Sequence, residues 1–104
     1  MYRHRSYQQV LYGHFNEFFK AVQELNAIAR KRGWPESSCW SPVVGTGNEA
    51  ILEEEYSDLA SFAKVGEAFQ SDAEAMKIFR GMASVIVQGS NRDELLEEMK
   101  KPLA

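Results

Sequence analysis

Ser38-Cys-Trp-Ser-Pro-Val-Val-Gly-Thr-Gly-Asn-Glu-Ala-Ile-Leu-Glu-Glu-Glu-Tyr56 reads as two strands joined by a turn, and this hairpin between two helical stretches sets the topology. Residues 38–44 form the first strand, and Pro42, which cannot donate to a ladder, places it at a sheet edge or gives it a bulge. Gly45-Thr46-Gly47-Asn48 is a turn cluster, and residues 49–56 complete the hairpin. Side chains alternate along a strand. Ala50, Leu52 and Tyr56 therefore share one face, with Glu54 as the exception there, and Ile51, Glu53 and Glu55 share the other.

Upstream of the hairpin, residues 1–11 read as a strand and Tyr12-Gly13-His14 as a turn. Phe15, Phe18, Phe19, Val22, Leu25, Ile28 and Ala29 then recur at spacings of three and four, one stripe of a helix. That helix ends near Arg32, because Gly33 suits a left-handed terminus and Pro35 follows. Downstream, Ser57 or Asp58 caps a helix carrying Leu59, Phe62, Val65 or Gly66, and Phe69. Ser71-Asp72-Ala73-Glu74 matches a capping box and predicts a further helix with Met76, Phe79, Met82 and Ala83 inward. Gly89 marks a turn, and residues 92–99 form the last strand. The order β-α-β-β-α-(α)-β predicts a ferredoxin-like α+β fold, a four-stranded antiparallel sheet with its helices on one face.

The chain has 104 residues, 44% hydrophobic and 26% charged, which predicts a single globular domain over 1–104 rather than a disordered or fibrous chain. One cysteine, Cys39, excludes an intrachain disulfide and a four-cysteine zinc site. No apolar run approaches the ~20 residues that span a bilayer, and the N-terminus lacks a signal-peptide core, so the expected location is cytoplasmic and no membrane partner is expected. Residues 1–32 hold six basic and two acidic groups, and residues 33–104 six basic and thirteen acidic, for a net charge of -3. The one basic cluster, Arg30-Lys31-Arg32, complements the negative end of a helix dipole. No basic face for nucleic acid results.

Helices on one face leave the other bare. Two copies packing sheet to sheet would cover it, so a homodimer through that face is expected. The elements, together with Trp40-Ser-Pro42-Val-Val-Gly45, Asn48 and Glu53-Glu-Glu55-Tyr56-Ser-Asp-Leu59-Ala-Ser-Phe62, resemble the dimeric α/β barrel superfamily, and within it small NIPSNAP-like bacterial proteins. The resemblance covers nearly the whole chain and rests on packing positions. It implies a homodimer whose sheets close into a barrel, with a ligand cavity between sheet and helices. Superfamily relatives include cofactor-free monooxygenases of aromatic substrates, haem-degrading enzymes and muconolactone-type isomerases, so fold alone assigns no activity.

Several residues carry candidate chemistry. Glu53 and Glu55 lie on one strand face with Cα atoms about 6.6–7 Å apart. They suit either an acid–base pair or a charge network with Arg3, Arg5 and Arg92 inside a dimer. His4 and His14, the only histidines, match no metal-ligand spacing, so no metal is expected. Trp40, Phe18 and Phe62 are the expected ligand-binding aromatics of the cleft. Trp34 reads as a packing lid over the helix end, and Cys39 as a small buried apolar group. Gly45-Thr-Gly-Asn-Glu-Ala50 matches a dinucleotide fingerprint in letters only, since a strand follows it where a helix is required. The third strand lacks the aromatic and basic residues of RNA-recognition domains, which excludes nucleic acid.

Two functions follow. The first is a NIPSNAP-like barrel that binds a small apolar or aromatic ligand and needs no cofactor. The second is a small cofactor-free enzyme, an antibiotic-biosynthesis-type monooxygenase or muconolactone-type isomerase acting on an aromatic or polyketide-like substrate. For the second, Trp40 would position the substrate, His4 or Glu53 would accept the proton, and Tyr56 would donate a hydrogen bond.

Overall fold

The computed structural model describes residues 1–100. Its elements are β1 (Tyr2–Gln9), α1 (Phe15–Arg32), β2 (Ser38–Trp40), β3 (Glu49–Tyr56), α2 (Leu59–Ser71), α3 (Ala73–Gly81), a 3-10 turn (Met82–Val85) and β4 (Arg92–Glu97). The strands form one antiparallel sheet in the order β2-β3-β1-β4. This is the ferredoxin-like α+β arrangement expected from the element order. No helix among the described residues is long and apolar enough to cross a membrane.

Local chemistry explains most boundaries. Gly33 ends α1 at φ 77°, a left-handed conformation that costs glycine little, and its N–H bonds back to the carbonyl of Ala29. Asp58 caps α2 by accepting from the Ser61 N–H. The predicted capping box at Ser71 is displaced by one residue. Ser71 closes α2, and the carboxylate of Asp72 accepts from the Ala75 N–H to open α3. The second strand, expected over 38–44, ends at Trp40. It lies at the sheet edge as Pro42 required, but the proline also stops the ladder before Val43 and Val44, which project fully exposed.

The two sheet faces differ. Register pairs Tyr2 with Tyr56, His4 with Glu54, Ser6 with Leu52 and Gln8 with Ala50 on the helix-covered face. Arg3, Arg5 and Tyr7 pair with Glu55, Glu53 and Ile51 on the open face. The packed core lies under α1, where Val10, Phe18, Val22, Ala50, Met82 and Val85 are buried. Gln8 is buried among them, its amide donating 2.6 Å to the carbonyl of Ala50. Phe19, Phe79 and Ala83, expected inward, are exposed, and Ala75 is the fully buried residue of α3.

Candidate functional site

Under α2 the packing is open. This helix has no buried residue, and Phe62, Val65 and Phe69 line a cavity of about 270 Å³ instead of meeting a core. Leu25 and Ala29 of α1, Leu52 and Tyr56 of β3, Trp34 after α1 and Phe79 of α3 complete its apolar walls. The aromatic rings hold one another edge to face: Tyr56 to Phe62 at 5.2 Å, Phe69 to Phe79 at 5.5 Å and Trp34 to Phe69 at 6.2 Å. Such pairs fix ring positions beyond what area burial supplies.

Gly66 stands in the middle of α2 on the cavity wall. A Cβ built there meets nothing within 4 Å, and the backbone has no left-handed φ that would call for glycine. Glycine costs a helix interior about 1 kcal/mol relative to alanine. Neither backbone strain nor crowding accounts for it, and its local effect is to leave the cavity edge uncovered.

One side of the cavity is polar. His4 places Nδ1 2.9 Å from Glu54 Oε1 and Nε2 3.1 Å from Asp93 Oδ1. Only the imidazolium donates to both carboxylates. The hydrogen bond to Glu54 is the main reason the His4 pKa is raised above 6.5, and burial acts against it. Glu54 Oε2 accepts from the Ser37 hydroxyl at 3.0 Å, and the Asn26 side chain clamps the Ser37 backbone with two 2.8 Å bonds. The line Asn26–Ser37–Glu54–His4–Asp93 thus joins α1, the loop before β2, β3, β1 and β4. The His4 ring also lies 5.5 Å from Phe62. Tyr56 is 7% exposed, and burial next to the Glu54 charge pushes its pKa up to about 12, so its hydroxyl stays protonated.

The structure divides the catalytic trio expected from sequence. His4 and Tyr56 border the cavity, whereas Glu53 lies on the opposite face of the sheet. Its neighbour Glu54, the apparent exception on the apolar face, is the carboxylate that meets His4. Of the three expected ligand-binding aromatics, only Phe62 lines the cavity. Phe18 is 1% exposed and belongs to the core, because its turn of α1 packs on Val10 and Ala50. Trp40 pairs with Ile51, so alternation points it to the open face, where its indole N–H donates 2.8 Å to Ser38. Trp34, read as a lid over the helix end, is a cavity wall. Cys39 is half-buried and burial raises its thiol pKa, which disfavours a thiolate. His14 is held by Glu17 in the first turn of its own helix, away from the cavity.

Sequence reasoning missed Glu54, Asp93, Ser37 and Asn26. The available signal was the charged residue in the Ala50, Leu52, Glu54, Tyr56 series, since a carboxylate on a helix-covered face needs a partner. On the open face, Arg3 meets Glu53 at 3.0 Å and also pairs with Glu55, and Arg5 donates to Glu53 at 3.0 Å. Arg92, expected in the same network, instead lies 4.0 Å over the Tyr7 ring and pairs with Glu94. It sits one strand too far from β3 to reach Glu53 or Glu55.

No sequence-family model matches the chain, and no curated protein matches it. Solved structures do match its fold. An uncharacterized NIPSNAP domain protein from Burkholderia xenovorans superposes with a TM-score of 0.79 at 16% identity over 100% of both chains. A NIPSNAP family protein from Agrobacterium tumefaciens gives 0.77 at 16% identity, covering 95% of this chain and 93% of the other. A candidate antibiotic biosynthesis monooxygenase from Nitrosomonas europaea gives 0.73 at 13% identity, covering 95% and 99%. This chain therefore has the ferredoxin-like fold shared by NIPSNAP domain proteins and by proteins resembling antibiotic-biosynthesis monooxygenases.

Proposed function

We propose that this chain is a cytoplasmic, homodimeric α/β barrel protein of one domain that binds a small apolar or aromatic molecule in the cavity between α2 and the sheet. The observation that carries the reading is the cavity itself, about 270 Å³ walled by Leu25, Trp34, Leu52, Phe62, Val65 and Phe69 and left open at Gly66. A cavity of about 150 Å³ lined by apolar side chains suffices for benzene. The larger space here suits two fused rings. The open face agrees with the dimer reading. Trp40 is 58% exposed there, and Arg3, Arg5 and Arg92 are matched by Glu53, Glu55 and Glu94. A symmetric contact sets like against like, and a face with balanced charge makes that contact without net repulsion.

Native mass spectrometry of the protein as purified from cells tests this reading, with Gly66→Leu alongside. The expected species has twice the 11.8 kDa chain mass and carries a small molecule that denaturation releases. Gly66→Leu, whose side chain reaches over the cavity, gives the same dimer without the extra mass. A monomer contradicts the barrel, and an unchanged ligand load in the variant contradicts the cavity as its site.

A second reading is favoured by one observation, the placement of His4 between Glu54 and Asp93 at the cavity wall. A neutral His4 could take a proton from an acidic C–H or phenol in the cavity, and the carboxylates would stabilise the imidazolium so formed. This is the proton step that a cofactor-free monooxygenase or isomerase requires. Turnover of an anthrone-type substrate that is lost in His4→Gln, with ligand binding retained, would support it, and turnover independent of His4 would refute it.

A further inference from the structure

Hydrogen bonding at the cavity identifies the kind of ligand it takes. Among the described residues, the polar side chains on its wall have partners within the chain except for two, and both are donors. Asn26 is committed to the Ser37 backbone through both ends of its amide. The Ser37 hydroxyl donates to Glu54, and the Ser6 hydroxyl donates to Gln8 at 2.9 Å. His4 has a carboxylate on each nitrogen, and each oxygen of Glu54 already accepts a hydrogen bond. The two are Trp34, whose indole N–H has no hydrogen-bond partner, and Tyr56, the more deeply buried residue of the pair. Tyr56 is 7% exposed and lines the cavity, its hydroxyl has no hydrogen-bond partner among the described residues, and the oxygen is not sealed from the open space around it. A ligand that displaces water from that oxygen must replace its hydrogen bond, because lost hydration costs about 1–3 kcal/mol. A phenol with a pKa of about 12 also remains a donor at any physiological pH.

Charge narrows the class further. Glu54 is 14% exposed in its side chain and His4 is committed to it, and no Lys or Arg lines the cavity, so an anionic group there finds no free cation. A cationic group would leave water for walls of Leu25, Leu52, Phe62 and Phe69, with the nearest carboxylate already held by His4 and Ser37.

We infer that the cavity selects an uncharged aromatic ligand bearing a hydrogen-bond acceptor, a carbonyl or ether oxygen, which receives the Tyr56 hydroxyl. The inference rests on the cavity being the binding site, and it names Tyr56 as the residue that sets specificity there.

Four probes of one shape separate the alternatives by equilibrium dialysis against the full-length protein and Tyr56→Phe: naphthalene, 2-acetylnaphthalene, 2-naphthoate and 2-naphthylmethylammonium. Wild type binds 2-acetylnaphthalene about three- to tenfold more tightly than naphthalene, the span expected for one net hydrogen bond, and binds both charged probes more weakly than naphthalene. Tyr56→Phe erases the difference between the two neutral probes. The phenyl ring preserves the packing on Phe62, and the urea midpoint of the variant, expected at or above that of wild type, verifies folding. Equal binding of the two neutral probes to wild type overturns the inference but keeps the cavity reading. Preference for a charged probe, or a carbonyl preference that survives in Tyr56→Phe, also overturns it. Absence of binding by every probe overturns the cavity reading itself.

Discussion

The two halves of this molecule are built from similar apolar stripes and put them to different use. Under α1, Phe18 and Val22 are buried in one cluster with Val10 and Ala50. Under α2, Phe62, Val65 and Phe69 recur at the same helical spacing, yet no residue of that helix is buried and the space beneath it measures about 270 Å³. One half holds the fold together, and the other gives up packing energy to keep a space. The difference arises from a few residues: Gly66 where a larger side chain would reach over the gap, and Glu54 with His4 where a wholly apolar pair would have closed it.

Truncation of the aromatics on each side breaks or confirms this contrast. Phe18→Ala should cost about 3–5 kcal/mol in urea unfolding, as for a fully packed core phenylalanine. Phe62→Ala should cost about 1–2 kcal/mol, since one side of its ring already faces open space. Equal losses would mean that α2 is packed as tightly as α1. A smaller effect of opposite sign tests the glycine. Gly66→Ala should stabilise by about 0.5–1 kcal/mol, because the native backbone accepts alanine and nothing obstructs its Cβ. A loss of stability there would show that the helix needs glycine for a reason of its own.

The smallest expected effect is that of pH on the polar side of the cavity. The His4 pKa is raised in the folded chain, chiefly by its hydrogen bond to Glu54. Its contribution to stability is therefore complete below the ordinary value of 6.5 and fades as pH rises through the folded value. The urea midpoint of wild type relative to His4→Gln should accordingly decline on going from about pH 6 to pH 9. An increase would place His4 in an environment that disfavours its charge. The open-face pairs Arg3–Glu55 and Arg92–Glu94 should add little on their own, since exposed ion pairs contribute about 0–1 kcal/mol.

Much of the architecture is legible in the sequence. The 3–4 spacing from Phe15, the Gly33 terminus and the turn at 45–48 suffice for the element order, and Pro42 alone assigns β2 to an edge. The candidate site is less legible, for identifiable reasons. Periodicity tells which side of α2 faces inward but not how far away the sheet lies, so Phe62 and Phe18 look alike until the space beneath each is seen. Alternation within 49–56 put Glu54 on the covered face, but its partner His4 is 50 residues away in sequence and becomes visible only through the β1–β3 register. Trp40 was misplaced by the same parity: a strand carries it to the open face, while its size and aromaticity suggest a pocket.

The chain has two tryptophans, one on each side of the sheet, and their indole N–H resonances report the two surfaces separately. Trp34 lines the cavity, and Trp40 lies on the open face bonded to Ser38. A two-dimensional NMR titration of the full-length protein with 2-acetylnaphthalene is therefore the most direct test of where a ligand sits. The cavity account predicts that the Trp34 indole signal shifts and saturates, while that of Trp40 does not respond to the ligand. A saturating shift of Trp40 with Trp34 unmoved would contradict it.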